Sequence, residues 1–436
     1  MSVFLKKKIT LLFVLIIAVL PLFSQQSDQQ SKIDYFQKKV KKYLDKENVL
    51  SGLYTINQDG IKIFASAHDK LAGRPEFMLS WENLDSFRKF LKKCSTTEIM
   101  RVYKNGTYEP KLFCEYAKRD TISKNKIGAF YGYKIAIDAG HTAGDVETGI
   151  VERKFIKFKP SPEVGLKDTV SLAEGMLTYA TVALLKEKLE QEGAQVFLTR
   201  PFNGSTAYGV TFEEWLKTSY KSTIEAWAKS GKIPASKKNW YLNQAPKSEK
   251  FRLVFKDMEL QKRAEIINDF KPDFTVIVHY NVDETNTGWT KPGNKNFSMA
   301  FIGGAFMGGD LTSPEKRFEF LRMLVSNDLE ASEELSGSVV QSLADNLLVK
   351  PAGTMDATYL HKGCLFTGRT GVFCRNLQLT RYIHGPVVYG ETLYQDNIGE
   401  CVLLNQETDK LKNARVKQAA DAYYLGIKKY IENWKP

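Results

Sequence analysis

The chain has 436 residues, of which 43% are hydrophobic and 26% are charged. These proportions exclude a disordered chain, a collagen-like chain and a polytopic membrane protein, and at about 150 residues per domain the length suits one large domain plus a small one. The 62 basic residues outnumber the 50 acidic ones, and the net charge of +12 favours an anionic partner such as nucleic acid, lipid headgroups or an acidic polymer, without choosing among them.

The first 24 residues have the layout of a secretory signal. Lysines at positions 6–8 precede an apolar run over 9–20, which is short for a membrane span. We therefore expect an exported protein that works in the periplasm or cell envelope. The alternative is an uncleaved N-terminal anchor, because Leu22 suits a cleavage site poorly. Only in that case do we expect the chain to contact a membrane.

A polar linker over 25–32 and a small α+β domain over 33–125 are predicted next. The elements predicted for this domain are a helix over 33–44, a hairpin over 53–65 that turns at Asp59-Gly60, a helix over 80–93 capped by Ser80, and a second hairpin over 100–114 that turns at Asn105-Gly106. No residue of this domain points to a particular chemistry.

From position 134 onward, short apolar strands alternate with helical patterns. Strands are predicted over 134–139, 194–199, 274–278 and 386–390, and helices over 174–192, 257–270, 338–347 and 406–434. Such strands, apolar on both faces, indicate an α/β domain with a mostly parallel sheet covered by helices on both faces. We expect this domain to span 126–436, with insertions at 201–256 and about 285–370.

Five cysteines allow at most two disulfides in an exported chain. They are Cys94, Cys114, Cys364, Cys374 and Cys401. No pair has CxxC spacing, which argues against a thiolate metal site, so small buried hydrophobic side chains are the favoured interpretation.

Polar side chains follow three predicted strands and begin one predicted helix. His141, His279 and Glu391 follow the strands, and Glu174 begins the helix. Because ligands of open α/β sheets gather at the carboxyl ends of the strands, we expect these side chains at one edge. Two histidines and a carboxylate suit a catalytic Zn²⁺ with a fourth position for water, and Glu391 suits a general base and acid. The set indicates a hydrolase.

Each of these residues has a simpler explanation when it is taken alone. His141 suits a turn, His279 a hydrogen-bonded strand end, Glu174 a charge that complements the helix dipole, and Glu391 a solvated loop. The four residues together carry the interpretation.

Motifs occur in a fixed order along the second domain. They are Asp138-Ala139-Gly140-His141, Glu174, a "GA-x-V-x-L-T-R" strand over 193–200, a helix over 260–268 with Arg263 and Asn268, His279-Tyr280-Asn281, and a segment over 385–397 with Glu391. In this order they resemble the zinc-dependent N-acetylmuramoyl-L-alanine amidases, which cleave peptidoglycan. Ala139 replaces the proline of the family's D-P-G-H motif, and Thr392-Leu393-Tyr394 replaces its "x-G-F".

The resemblance implies hydrolysis of the amide bond between the lactyl group of N-acetylmuramic acid and L-alanine in peptidoglycan. It implies one Zn²⁺ per chain, ligated by His141, Glu174 and His279, with Glu391 as the general acid and base. If Glu391 does not serve, His384 or His361 would be the alternative base.

The resemblance also gives three residues supporting roles. Asp138 is expected to orient a ligand, Asn281 to contact substrate or fix its loop, and Arg375 to hold substrate or a neighbouring site residue. A protein activator is a further expected partner, because an inserted helix holds some family members inactive until a partner binds.

The insertion over 201–256 combines ten basic residues and four acidic ones with aromatic residues. The aromatic residues are Trp215, Tyr220, Trp227, Trp240 and Tyr241. Two interpretations stay open: these rings stack on sugars while lysines meet wall carboxylates, or they are buried inside a solvated helical cap.

Three rival functions remain to be weighed. Another hydrolase has little support, because HExxH is absent and a glycosidase carboxylate pair would leave both histidines without a role. A nucleic-acid partner is not expected, since there is no P-loop, zinc-finger spacing or RRM-like motif and export is predicted. A catalytically inactive wall-binding protein on the same fold is the main alternative, and zinc content would distinguish it.

Overall fold

The computed structural model describes residues 29–110, 128–286 and 291–433. The predicted signal and Cys114 lie outside the described residues. The chain divides into two compact units, one within Met1–Lys118 together with Phe306–Ser326, and one formed by the remainder. Over the described ranges, no helix combines the length and the apolar character needed to cross a membrane.

The secondary structure begins at the first described residue. The strands are β1 (Tyr54–Asn57), β2 (Gly60–Ile63), β3 (Phe77–Leu79), β4 (Lys134–Ala139), β5 (Phe155–Phe158), β6 (Val170–Ala173), β7 (Gln195–Leu198), β8 (Phe274–Asn281), β9 (Met299–Ile302), β10 (Leu365–Phe366), β11 (Val372–Cys374) and β12 (Val387–Tyr394). The α-helices are α1 (29–39), α2 (Ala67–Leu71), α3 (Leu84–Lys93), α4 (Thr96–Lys104), α5 (Val146–Glu152), α6 (Glu174–Gln191), α7 (Phe212–Thr218), α8 (Tyr220–Lys229), α9 (Lys247–Lys250), α10 (Lys256–Phe270), α11 (Pro314–Val325), α12 (Asp328–Leu347), α13 (Thr358–Gly363), α14 (Gln378–Tyr382), α15 (Ile398–Asn405) and α16 (Ala414–Asn433).

The N-terminal unit contains a three-stranded antiparallel sheet in the order β1-β2-β3. The predicted hairpin at Asp59-Gly60 is confirmed, with Tyr54 opposite Ile63 and Gly60 at a φ of 133°, which favours glycine. Helix α11 also belongs to this unit, although it lies within the stretch predicted as the second insertion. Residues 29–32, predicted as linker, are helical.

The prediction of a second hairpin over 100–114 is wrong for residues 100–110, the part of this range that the structure describes. Helix α4 runs on to Lys104, and its first turn has a capping box in which Ser95 and Glu98 bond each other's backbone N–H groups. Ile99, Val102 and Tyr103 are buried at helical spacing. Burial of this face stabilises a helix where a hairpin strand was predicted, and the Asn105-Gly106 pair forms the turn that ends this helix, with Gly106 at a φ of 84°.

The second unit is built on a seven-stranded sheet in the order β10-β11-β9-β12-β8-β4-β7. The β7, β4, β8 and β12 strands are parallel neighbours, as are β9 and β11, while β12–β9 and β10–β11 pair antiparallel. Helices α6 and α12 pack on the sheet together with α16, and α10 covers a separate apolar cluster with α14. The predicted α/β class, a mostly parallel sheet flanked by helices, is confirmed.

Several boundaries in this unit differ from the predictions, and helix α12 begins at Asp328 and not at residue 338. Strands β9 and β10 lie inside the stretch predicted as the second insertion, yet they extend the main sheet. The closing helix starts at Ala414 and not at residue 406, because Asn413 accepts a hydrogen bond from the backbone N–H of Val416. Helix α15 precedes that break.

The stretch over 201–256 forms a helical cap, the name we use for residues 212–255. Trp215 and Tyr220 are buried in its own apolar core, against which Trp227 and Tyr241 pack half-buried. This arrangement favours the buried interpretation for Trp215 and Tyr220. The lysines of the cap are mostly exposed.

No disulfide joins two cysteines of the described part of the chain. Cys94, Cys364, Cys374 and Cys401 are buried. This agrees with the prediction of small buried hydrophobic side chains.

Candidate metal and catalytic centre

The three predicted metal ligands lie together at the carboxyl edge of the sheet. Nε2 of His141 is 3.1 Å from Oε2 of Glu174, and Nδ1 of His279 is 2.9 Å from Oε1 of the same carboxylate. One ligand atom from each residue lies within 4.8 Å of the other two. The side chains of Glu174 and His279 are only 3% and 7% exposed.

Two glycines permit this close approach. A Cβ atom on Gly140 would lie 2.3 Å from Cε1 of His279, and one on Gly175 would lie 2.3 Å from the carbonyl oxygen of Ala143. Any larger residue would push the His141 loop away from β8 or from the start of α6. The glycine of the D-P-G-H-like motif therefore has a steric role.

The charge states of the three side chains differ. Burial lowers the pKa of His279 to about 4, so this imidazole is neutral near pH 7. Burial also opposes the charge of His141, but Glu174 and Glu152 outweigh it and raise the pKa of His141 to about 9. Burial disfavours the charged form of Glu174, but His141 and Lys154 outweigh it and hold the pKa of Glu174 well below its usual value.

This donor set fits a divalent transition-metal ion. Two imidazole nitrogens and one carboxylate oxygen, with no thiolate, are typical of an open zinc site. The buried Glu174 carboxylate needs a positive partner, and its two oxygens each face one imidazole. The three residues thus offer the ligands that zinc requires.

Glu152 is a site residue that the sequence reasoning missed. Its carboxylate, 6% exposed, lies 3.0 Å from Nδ1 of His141 and accepts hydrogen bonds from the backbone N–H groups of Thr142 and Ala143, both at 3.0 Å. With Nδ1 bonded to Glu152, Nε2 of His141 faces Glu174. No strand ends at Glu152, so the strand-end argument did not find it.

A second buried network, centred on Arg263, bonds the backbone of the loop that carries His141. Arg263 donates to the carbonyl oxygens of Ala139 at 2.6 Å and His141 at 2.9 Å, and it pairs with Asp138 at 3.1 Å and Glu259 at 2.8 Å. Asp138 therefore contacts Arg263, and Arg263 bonds the loop that carries His141.

Arg200 adds a second guanidinium to this network. Its Nε atom donates to the carbonyl oxygen of Ala139 at 3.1 Å, and burial lowers its pKa to about 10. The two arginines that belong to the quoted motifs, Arg200 and Arg263, are thus buried side chains that bond the backbone of the ligand loop.

Glu391 lies next to the metal-ligand cluster. It is the β12 residue paired in register with His279 of β8. Burial and the charge of Glu174 raise its pKa to about 7, against the opposing charges of Lys154 and Arg375. Among the described residues, none forms a hydrogen bond with its buried Oε2 atom. A carboxylate of this kind can exchange a proton near neutral pH.

Asn281 and Arg375 meet at Tyr359. Nδ2 of Asn281 donates to the Tyr359 hydroxyl at 2.7 Å, and the Arg375 guanidinium lies 4.7 Å from the centre of the same ring. Burial and Glu391 raise the pKa of Tyr359 to about 12. Tyr359 was also missed, because its helix α13 lies in the stretch predicted as an insertion.

The two alternative bases, His384 and His361, are less suitably placed for proton transfer than Glu391. His384 precedes β12 and therefore lies at the amino end of the strand whose register places Glu391 beside His279. His361 is exposed on α13. Glu391 remains the residue whose placement suits a base.

The fold and this centre together define a class: an α/β protein with a candidate metallohydrolase site at the carboxyl edge of a mostly parallel sheet. The family model described as N-acetylmuramoyl-L-alanine amidase (Amidase_3) matches residues 135–429. The chain belongs to this family, which supports hydrolysis of an amide bond in peptidoglycan. A search of curated protein sequences finds no match.

Solved structures of amidases show a distant likeness to this chain. CwlD of Clostridioides difficile, solved in complex with the GerS lipoprotein, is 19% identical with a TM-score of 0.37, covering 69% of this chain and 98% of its own. Ami1 of Mycobacterium abscessus is 17% identical with a TM-score of 0.36, covering 69% and 99%. The catalytic domain of CwlV from Bacillus (Paenibacillus) polymyxa var. colistinus is 14% identical with a TM-score of 0.35, covering 69% and 98%. Family membership rests on the match over 135–429.

Proposed function

We propose that this chain is a zinc-dependent amidase that cleaves the bond between the lactyl group of N-acetylmuramic acid and L-alanine. One observation carries the proposal: both oxygens of Glu174 face an imidazole, and Glu391 occupies the neighbouring strand beside His279. A structural zinc site would be closed by four protein ligands, whereas three ligands beside a proton-exchanging carboxylate suit catalysis.

His141, Glu174 and His279 would hold one zinc ion per chain. When bound, zinc supplies a Lewis acid that lowers the pKa of a water molecule and polarises the substrate carbonyl. The low pKa of His279 leaves its ring ready to bind, and the ionised Glu174 supplies the negative charge. The bond between His141 Nδ1 and Glu152 would leave the other ring nitrogen available to bind the ion.

Glu391 would move the proton in both halves of the reaction. As a carboxylate it takes a proton from water, whose oxygen forms a bond to the lactyl carbonyl carbon while the carbonyl π electrons move to oxygen. Those electrons then reform the carbonyl, the C–N bond breaks, and Glu391 returns the proton to the departing L-alanine nitrogen. A pKa of about 7 in the metal-free chain suits both directions of transfer.

Peptidoglycan is the proposed macromolecular substrate, and the cell envelope the proposed location. The basic n-region and apolar run of the first 24 residues support export. Asn281, Tyr359 and Arg375 would border the bound substrate, since they form one contact group whose arginine influences the pKa of Glu391. A protein activator remains a proposal.

Digestion of purified peptidoglycan tests the function directly. We expect mass analysis to find newly freed L-alanine amino termini, to lose them on chelation, and to recover them when zinc is added back. Cleavage elsewhere in the polymer would contradict the assigned bond. Binding without cleavage by a zinc-loaded preparation would indicate the catalytically inactive wall-binding protein instead.

A further inference from the structure

Glu152, Arg153 and Lys154 are consecutive residues that contact three different parts of the second unit. Glu152 bonds the loop that follows His141, Arg153 pairs with Glu249 of the cap at 2.8 Å, and the Lys154 ammonium lies 3.9 Å from Glu174. Arg153 has a φ of 60°, so the chain turns sharply here.

The β5–β6 hairpin brings this segment against the metal-ligand cluster. Phe155 pairs with Ala173, and the backbone N–H of Glu174 donates to the carbonyl oxygen of Lys154 at 3.1 Å. The end of helix α5 is thereby tied to the start of α6, where the ligand Glu174 lies.

The other side of α5 rests on the cap. Val151 packs against the apolar core that contains Trp215 and Phe255. The exposed Ile150, by contrast, is not part of that packing. Helix α5 also begins with a capping box between Asp145 and Thr148, which fixes its first turn. Because this short helix is held at both ends, the place where it packs on the cap also determines where its last residue meets the loop that carries His141.

Every polar contact described for the Glu152 carboxylate is with His141 or with the two residues that follow it. A buried carboxylate that accepts from two backbone N–H groups and one imidazole fixes both the path of the loop and the ring orientation of His141. Outer residues that orient metal-bound histidines affect metal affinity without touching the ion.

We propose that Glu152 is a positioning residue for His141, and that the cap sets its position through Val151 of helix α5. This inference rests on the proposed zinc function. It gives the cap a role in building the centre, in addition to any contact it makes with substrate.

The Glu152→Gln substitution tests the proposal, with substitution of an exposed glutamate of the same helix as the matched control. We expect Glu152→Gln to weaken zinc binding by about 10- to 100-fold in a competitive chelator titration, while Glu147→Gln binds like wild type. Amide hydrogen exchange at Thr142 and Ala143 should accelerate in Glu152→Gln, in metal-free protein as well. Zinc affinity and exchange equal to the Glu147→Gln control would overturn the proposal.

A second pair of variants tests the cap and covers the case in which Glu152→Gln does not fold. We expect Val151→Ala to weaken zinc binding by less than Glu152→Gln but measurably, and Ile150→Ala to leave it unchanged. Equal zinc affinity in these two variants would overturn the role of the cap. If wild-type protein itself binds no zinc, the proposed function fails, and exchange at Thr142 still decides whether Glu152 holds the loop.

Discussion

The two sides of the metal-ligand cluster are built in opposite ways. On the His141 side, Glu152 and Arg263 bond both the ring and the backbone of the ligand loop. On the Glu391 side, a buried carboxylate oxygen has no hydrogen-bond partner in the described part of the chain. Since an unsatisfied buried charge costs free energy, we infer that the two sides have different functions.

The His141 side, with its full set of hydrogen bonds, suits binding a metal ion. The Glu391 side, with its unbonded carboxylate oxygen, suits transferring a proton. Saturated hydrogen bonding restricts where His141 can lie, which a metal ligand requires. Burial and the nearby Glu174 leave Glu391 with a pKa of about 7, which a general base requires. Variants on the two sides should therefore fail differently.

The largest effect is expected from the loss of a ligand. His279→Ala should lose zinc and reduce amidase activity to background, because two remaining protein ligands hold zinc poorly. Metal content and peptidoglycan turnover measure both effects. His361→Ala, which removes an exposed histidine, is the control and should keep both. Full zinc occupancy in His279→Ala would contradict the assigned ligand set.

Glu391→Gln should separate chemistry from metal binding. We expect turnover to fall by about 10²- to 10⁴-fold while zinc content and melting temperature stay near wild type, because only the proton carrier is removed. The exposed Glu407→Gln serves as the control. Wild-type turnover in Glu391→Gln would move the base to another residue.

Arg263→Met should destabilise the protein, because it removes the guanidinium that bonds the backbone of the His141 loop. Its loss leaves Asp138 and Glu259 buried without their guanidinium, and we expect unfolding free energy to drop by about 3–5 kcal/mol. Lys262→Met, on the same helix, breaks only a partly exposed pair with Glu265 and should cost less than about 1 kcal/mol. Denaturant titration compares the two variants, and equal losses would show that the network does not anchor the loop.

The smallest effect concerns pH. Glu391 must be ionised to accept a proton, so turnover should decrease about tenfold per unit as pH falls below its pKa. A bound cation lowers that pKa, which places the acid limb at or below about pH 7. Arg375 also lowers the pKa, so Arg375→Met should shift the limb upward. Arg381→Met, which removes an arginine stacked on Tyr382, should leave it in place. A downward shift in Arg375→Met would contradict this electrostatic account.

The ligand side of the site was largely predictable from sequence. His141 follows β4 and His279 lies near the carboxyl end of β8, and parallel strands bring their carboxyl ends to one edge, so the strand pattern predicts where these residues meet. The quoted motifs also contain Arg200 and Arg263, yet their role became visible only in the structure. A buried arginine and an exposed one look alike in a sequence.

Other features depend on long-range packing and could not be read from local pattern. Glu152 ends a seven-residue helix whose position is set by the β5–β6 hairpin and the cap. Strand β9 is apolar but only four residues long, and β10 has two residues, so both were assigned to an insertion. Helix α4, by contrast, was predictable, because Ser95 and Glu98 have capping-box spacing that the Asn105-Gly106 turn signal obscured.

X-ray absorption at the zinc edge tests the central claim most directly, namely that His141, Glu174 and His279 share one ion. We predict one zinc per chain with two imidazole nitrogens and carboxylate or water oxygens at about 2.0–2.2 Å. In His279→Ala, which should lose most of its zinc, we predict that any zinc retained at high metal concentration lacks one imidazole nitrogen. Sulfur ligands, or a zinc shell that is unchanged in His279→Ala, would contradict the account.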